Sequence, residues 1–477
     1  MFYHDHSYGI TRLNVYAGEA APYLLRDPVE QDLVNKGIIP ADEIPLVLQD
    51  KTFVPDNTTP FTNTLGPFPS QLAAQDPTWN TTKWGDYGQL WYPHVYMVMQ
   101  NPWDVTGMAP MGRWHYSPWF WPPFTPTHGP VPNPYYDPIN APWEPPMMPG
   151  TPNPSVVVEA FMDTPVINGV AYPNLTVEPK AYRLRILNAA DDRFWNLQLY
   201  EADPGVTTAD GRTFTEVKMV PAVAPDVCNP GAPAFPANWP TDGRPGGVPD
   251  PITVGPMFIQ IGNEGGFLPA PVELPNQPVN WNMDPGTFDF GIVNQYTLFL
   301  GPAERADVIV NFSDYAGKTL ILYNDAPAPV PANDPRLDYY TNDTDQTDIG
   351  GAPSTPPGYG PNTRTIMQIK VLPTATTPNT FNLQALKNAF NSTGNMTQGT
   401  LVPGAFAASQ NSIIVPQSGY NSAYNASFPS NAFVHIHDTY LNFTPINTTT
   451  QVNLLMENKA IHDEMGGAFD SEYGRMS

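Results

Sequence analysis

The chain has 477 residues and a formal charge of −24, and 60 of its residues are proline and 36 glycine. A proline share more than twice the usual ~5% excludes long uninterrupted helices, while 41% hydrophobic and 12% aromatic content excludes a disordered chain. With 45 Asp+Glu against 21 Lys+Arg, the field repels phosphate backbones and anionic bilayers and attracts cations, so nucleic acid is excluded as a partner.

Short strands joined by proline-rich loops, an all-β fold, follow from this composition. The opening MFYHDHSYGITRLNVYAGEAAPYLLRD shows two extended stretches, Ile10 to Tyr16 and Tyr23 to Arg26, separated at Ala17-Gly18. It reads as the end of a β domain, with residues 1–27 closing that domain and 28–44 a polar linker. The apolar run Pro45-Leu46-Val47-Leu48 then opens a second domain. Eight of the eleven tryptophans fall between Trp79 and Trp143, mixed with prolines, so the stretch from about 79 to 149 is an aromatic insertion, neither strand nor helix.

Strands are expected at Val156 to Phe161, Thr164 to Tyr172, Tyr182 to Leu187, Phe194 to Tyr200, Met257 to Gly262, Tyr296 to Leu300, Asp307 to Phe312, Thr319 to Tyr323 and Thr365 to Leu372. In the run Tyr182-Arg183-Leu184-Arg185-Ile186, the apolar residues share one face and the two arginines take the other. Short half-buried strands at this spacing build a β-sandwich over 45–373. Ala326 to Asn362 reads as a surface excursion. Residues 374–430 read as a connector with one helix at Leu383 to Phe390, and 431–477 as the first strands of a third domain.

The only cysteine, Cys228, cannot form an intramolecular disulfide or a multi-thiolate metal site. Ten Asn-x-Ser/Thr triplets, beginning with Asn57, Asn80 and Asn174, suit a glycosylated secreted protein or simply an Asn- and Thr-rich composition. No apolar run reaches the ~18 residues of a membrane span, and no secretory leader precedes Tyr3.

His4 and His6 flank Asp5. Residues two apart on a strand face the same way, so both imidazoles can converge on one space, and imidazole suits copper, zinc and iron. On spacing alone, two surface histidines near a terminus explain the triplet as well. His435 and His437 repeat the spacing at the start of the expected third domain and read as strand residues; His462 reads as structural. His94, His115 and His128 are scattered in the insertion, and Met108, Met111, Met147 and Met148 are soft ligands that more often fill gaps.

The block YHDHSYGITRLNVYAGEAAPYLLRD resembles the end of the first cupredoxin domain of multicopper oxidases, in particular the bacterial spore-coat laccase-like and bilirubin-oxidase-like branch. The likeness continues through TPVINGVAYPNLTVEPKAYRLRILNAADDRFWNLQLY, MFIQIGNEGGFLPAPVEL, LGPAERADVIVNFSDYAG and TIMQIKVLP, in that family's order, and covers most of Tyr3 to Pro373. The insertion at 79–149, the loop at 326–362 and Pro22 depart from the compact members.

What the resemblance implies is a set of cupredoxin-like Greek-key β-sandwich domains and a copper enzyme. Such an enzyme couples one-electron oxidation of a phenolic, pigment or metal-ion reductant to four-electron reduction of dioxygen to water, outside the cytoplasm. His4 and His6 match the family's second His-x-His motif, each imidazole ligating one of two type 3 coppers. Arg305 and Asp307 match a signature whose pairing is structural. Cys228, in PDVCNPG, has no histidine beside it, and the family's other copper motifs do not occur in the sequence. The resemblance therefore implies a piece of such an oxidase, truncated at both ends and inactive alone; a non-catalytic cupredoxin scaffold or copper-binding fragment is the alternative.

Overall fold

The computed structural model describes residues 1–7, 11–53, 88–90, 138–139, 161–205, 208, 210–224, 235–281, 297–330, 335, 338–344, 352, 354–391 and 403–409, with short strand pairs inside 62–67, 131–148, 440–455 and 469–476. The chain divides into two compact units, one of Met1–Gly112 with Phe124–Ser409, the other of Arg113–Pro123 with Gln410–Ser477. In the second unit the described structure is a hairpin of Tyr440–Phe443 with Val452–Leu455 and a two-residue pair, Phe469–Asp470 with Arg475–Met476.

The first unit is a sandwich of two mixed sheets. Its principal strands are β1 (Phe2–His4), β2 (Ala20–Pro22), β3 (Glu43–Lys51), β4 (Thr164–Ile167), β5 (Val170–Ala171), β6 (Asn174–Val177), β7 (Ala181–Asn188), β8 (Trp195–Glu201), β9 (Phe258–Asn263), β10 (Gly266–Leu274), β11 (Leu298–Leu300), β12 (Arg305–Asn311), β13 (Thr319–Asn324) and β14 (Thr365–Val371). One sheet has seven strands, in the order β10-β9-β12-β7-β3-β4-β5, and the other five, β6-β14-β13-β8-β11. Two pairs are parallel, β7 with β3 and β6 with β14. This mixed two-sheet arrangement is the expected all-β sandwich.

Alternation decides which side chains meet between the sheets. Leu184 and Ile186 of β7 and Val308 and Val310 of β12 face Leu197 and Leu199 of β8, Leu320 and Leu322 of β13, and Ile369 of β14 in one buried cluster. Each such side chain, removed from water, contributes about 1.5–3 kcal/mol. The opposite face of the seven-stranded sheet is covered as well. Helices α2 (Pro28–Asn35), α3 (Leu383–Phe390) and α4 (Ala405–Ser409) lay Leu33, Leu386, Phe390 and Ala405 on Ile259, Ile261 and Ile309.

Arg183 and Arg185 occupy that covered face, and burial there requires charge partners. Arg183 grips Asp307 through two hydrogen bonds, at 2.8 and 2.6 Å, and reaches Glu30 of α2 at 2.7 Å. Arg185 reaches Asp307 at 3.0 Å and Glu30 at 2.5 Å.

Three expectations need correction. Ile10 to Tyr16 is not extended: Thr11–Ala17 is a helix, α1, closed by Gly18 at φ +120°. Short apolar runs fit either period, and the docking of Tyr16 described below selects the helix. Pro28 to Glu43 is not a bare polar connector, because Asp27 caps α2 by accepting from the Glu30 amide at 2.7 Å and Leu33 and Ile39 join the core. Within 326–362, Ala326, Ala328, Asp338, Tyr339, Tyr340 and Asp343 are buried, so that stretch is not a surface excursion over these residues. The Val156 to Phe161 strand and most of the aromatic insertion lie outside the described residues.

Candidate metal centre

The His-Asp-His triplet sits where β1 ends. β1 pairs antiparallel with β2, His4 opposite Ala20, and the Asp5 amide extends the ladder by donating to Glu19 O at 3.0 Å. The extended backbone puts the two imidazoles on one side, with ring centroids 5.4 Å apart and planes tilted 33°, and Phe2 stacks on the outer face of this pair against His4.

Asp5 locks the turn that follows. Its carboxylate accepts from the Ser7 hydroxyl at 2.7 Å, the Ser7 amide at 3.0 Å and Asn14 Nδ2 at 2.9 Å. These bonds, the Ser7 hydroxyl first, hold its carboxyl below the ordinary range. An Asx turn of this kind stops the strand and hands the chain to α1.

The orientation of His4 is set by its own backbone. Nδ1 lies 2.6 Å from the Asp5 carbonyl oxygen, which can only accept, so the neutral ring carries its proton on Nδ1 and keeps a lone pair on Nε2. Metal-ligating imidazoles commonly show this, one nitrogen tied to a carbonyl and the other open.

The segment is fastened to the sandwich by Tyr16, which is 2% exposed. Its hydroxyl donates to Thr52 O at 2.9 Å and accepts from the Thr52 amide at 3.1 Å, and the Lys51 ammonium donates to Tyr16 O. Phe2, Val15 and Ala20 pack against Leu187 and Ala189 at the end of β7. The other side of the hairpin is uncovered: Tyr3, Tyr23 and Leu25 are each close to 60% exposed.

A nitrogen-only pair with an open Nε2 on a firmly seated hairpin fits copper, for which imidazole is a good ligand. Among the described residues no group of three or more His, Cys, Asp or Glu converges as a complete metal site. His94, His115, His128, His435, His437, His462, Cys228, Met108 and Met111 lie outside the described residues, and Met147–Met148 is described only as a strand paired with Val131–Pro132. Arg305 and Asp307 do not pair with each other. Asp307 serves Arg183 and Arg185, and Arg305 donates to Ala303 O. Spacing alone does not reveal the Asp5 lock, although an Asp two residues before Ser7 is the Asx-turn pattern that signals it.

No family model matches the chain. The laccase of Bacillus subtilis (strain 168) is 25% identical over 328 residues, covering 68% of this chain and 33% of that one. The laccase of Haloferax volcanii is 26% identical over 326 residues, again 68% of this chain and 29% of that one. Over this part of its length the chain is similar to multicopper oxidases. The likeness covers part of it, and the match spans about a third of the length of these curated relatives. Multicopper oxidase LPR2 of Arabidopsis thaliana is 22% identical over 335 residues, 70% of this chain and 31% of that one. Among solved structures, the McoA multicopper oxidase of Aquifex aeolicus superposes with a TM-score of 0.36 at 18% identity, covering 80% of this chain and 43% of that one, too loosely to carry an argument. Among the described residues no helix is long and apolar enough to cross a membrane.

Proposed function

We propose that this chain supplies His4 and His6 to the type 3 pair of a trinuclear copper cluster. The protein that carries it couples one-electron oxidation of a phenolic, pigment or metal-ion reductant to the reduction of dioxygen by four electrons and four protons to two waters. The observation that carries this reading is the imidazole pair at 5.4 Å with His4 Nε2 left open by the Nδ1 bond to Asp5 O.

When bound, copper supplies the one-electron steps and the dioxygen site. The chain's own residues hold the ligands. Asp5, Ser7 and Asn14 fix the turn, and Tyr16 with Thr52 fixes the hairpin on the sandwich. In this reading residues 1–27 end one cupredoxin domain, 45–373 form a second that binds no metal itself, and 431–477 open a third. Exposed Asn342, at a glycosylation triplet, accords with an extracytoplasmic location.

With Cys228 as its only cysteine and no histidine adjacent, the chain alone lacks a type 1 centre and is inactive by itself. The test is a Cu(II) titration of the chain followed by electron paramagnetic resonance. Wild type shows nitrogen hyperfine structure from imidazole that His4→Ala, His6→Ala loses, with no intense blue absorption in either. A double variant with the same copper spectrum and affinity as wild type would remove the pair from the site.

A further inference from the structure

Far along the chain from the histidine hairpin, the outer face of the five-stranded sheet bears a cavity of about 640 Å³, within the ~300–1,000 Å³ typical of small-ligand sites. Its floor is built from β13, β14 and the edge strand β6, where Ile321 and Asn174 both lie opposite Gln368. Its walls come from two loops, 211–216 and 358–362.

Three aromatic rings line it: Tyr172, Phe214 and Tyr359. Two of them sit on backbone that bulky residues rarely adopt, Tyr172 at φ 47° and Phe214 at φ 58°. Among the described residues the other non-glycine positions with positive φ are asparagines and one alanine, so the two aromatic outliers share one cavity. Strain of this kind persists where the surroundings enforce it and clusters at binding sites. Here the enforcing contacts are visible: Gln368 Nε2 donates to Phe214 O at 2.7 Å, and Tyr172 Oη accepts from the Asn362 amide at 2.7 Å. The Arg212 guanidinium lies over the Tyr359 ring, 5.2 Å from its centroid.

Polar groups complete the lining. Glu216 is 7% exposed, and its carboxylate accepts from the Gly358 amide at 2.7 Å and from Thr365 Oγ1 at 3.4 Å. The Thr341 side chain is a third hydrogen-bond partner; a carboxylate has about four acceptor sites, so about one remains for a ligand. At the rim the exposed Lys370 has no ion pair among the described residues. A purely apolar ligand would bury Glu216 without replacing its water, and a small anion would meet a carboxylate at the base. A polyhydroxylated ring satisfies every side: its C–H faces stack on the aromatic rings, its hydroxyls donate to Glu216, and others accept from Lys370.

We propose that this cavity is a saccharide-binding site, independent of the copper centre, with Phe214 and Tyr359 as stacking platforms and Glu216 as the hydroxyl acceptor. It is tested by saturation-transfer NMR and calorimetry on the chain with glucose, cellobiose and xylobiose, with guaiacol and sulfate as competitors. At least one sugar saturates at or below the order of 10 mM, and Glu216→Gln and Phe214→Gly each weaken it roughly tenfold or more. Phe214→Gly keeps or raises the thermal midpoint, since glycine tolerates φ 58°; Tyr359→Ala replaces it if that variant does not fold. Absence of saturation by all three sugars, unchanged affinity in either folded variant, or tighter binding of guaiacol or sulfate would overturn the assignment.

Discussion

Asp163 is fully buried beside β4, and loss of hydration pushes its carboxyl from the ordinary 3.8 up to about 7, against the opposing pull of the Thr164 hydroxyl at 2.7 Å. The folded chain therefore keeps this proton over a range in which the unfolded chain has released it. Between pH ~4 and ~7 the folded state binds more protons, so its stability falls as pH rises and levels off above ~8. The interval spans a little over three pH units; at about 1.4 kcal/mol each this comes to ~4 kcal/mol. Asp163→Asn removes the titration and leaves a side chain of the same shape, whose oxygen still accepts from Thr164. The assay is urea unfolding by tryptophan fluorescence at several pH values from 4 to 8. Asp343, raised to about 7, and Asp325, raised to about 6 with burial the first cause for both, titrate in wild type and variant alike. The informative quantity is thus the variant's stability minus that of wild type. It should grow by several kcal/mol from pH 4 to 8, and a difference that stays flat would refute the burial argument.

Arg183→Ala leaves Asp307 and Glu30 buried without their main partner, since the arginine side chain is 1% exposed, and should cost about 3–5 kcal/mol in denaturant unfolding. Asn382→Ala removes the side-chain cap that accepts from the Ala385 amide at 2.9 Å, and should lower stability by about 1 kcal/mol while leaving the two sheets' circular dichroism unchanged. Tyr16→Phe strands the Thr52 amide and carbonyl at a loss of ~1–3 kcal/mol; amide exchange should quicken over 11–22 and stay slow in β7.

Strands with one apolar face were legible from sequence because alternation carries the information. Tyr182-Arg183-Leu184-Arg185-Ile186 gave its two faces outright, and the arginine side of that strand became a buried ion network only because α2 brings Glu30 over it. That helix was not legible: Pro28 to Asn35 mixes polar and apolar residues, and its inward Val29, Leu33 and Val34 gain meaning only against the sheet. By contrast Leu383 to Phe390 was read correctly, since Leu386 and Phe390 recur at helical spacing after a capping Asn382. Segment 11–17 went the other way because its fate depends on Thr52, 36 residues distant from Tyr16. For the site, the two histidines were visible as a motif and their facing rings followed from strand geometry. The Asp5 lock and the His4 tautomer needed coordinates, being contacts of carbonyl and carboxylate oxygens that spacing does not encode.

The central claim is that His4 and His6 each hold one copper of a coupled pair. It is tested most directly in a protein that carries this chain together with the remaining copper ligands, by comparing total copper with the copper visible in electron paramagnetic resonance while oxygen uptake is recorded. For wild type the coupled pair is silent and oxygen is consumed. Single variants His4→Ala and His6→Ala should each lose the silent fraction and oxygen uptake, yet keep the blue centre, still reducible by substrate. Full silent copper and normal oxygen uptake in the His4→Ala, His6→Ala double variant would contradict the account and return both residues to surface histidines on a strand.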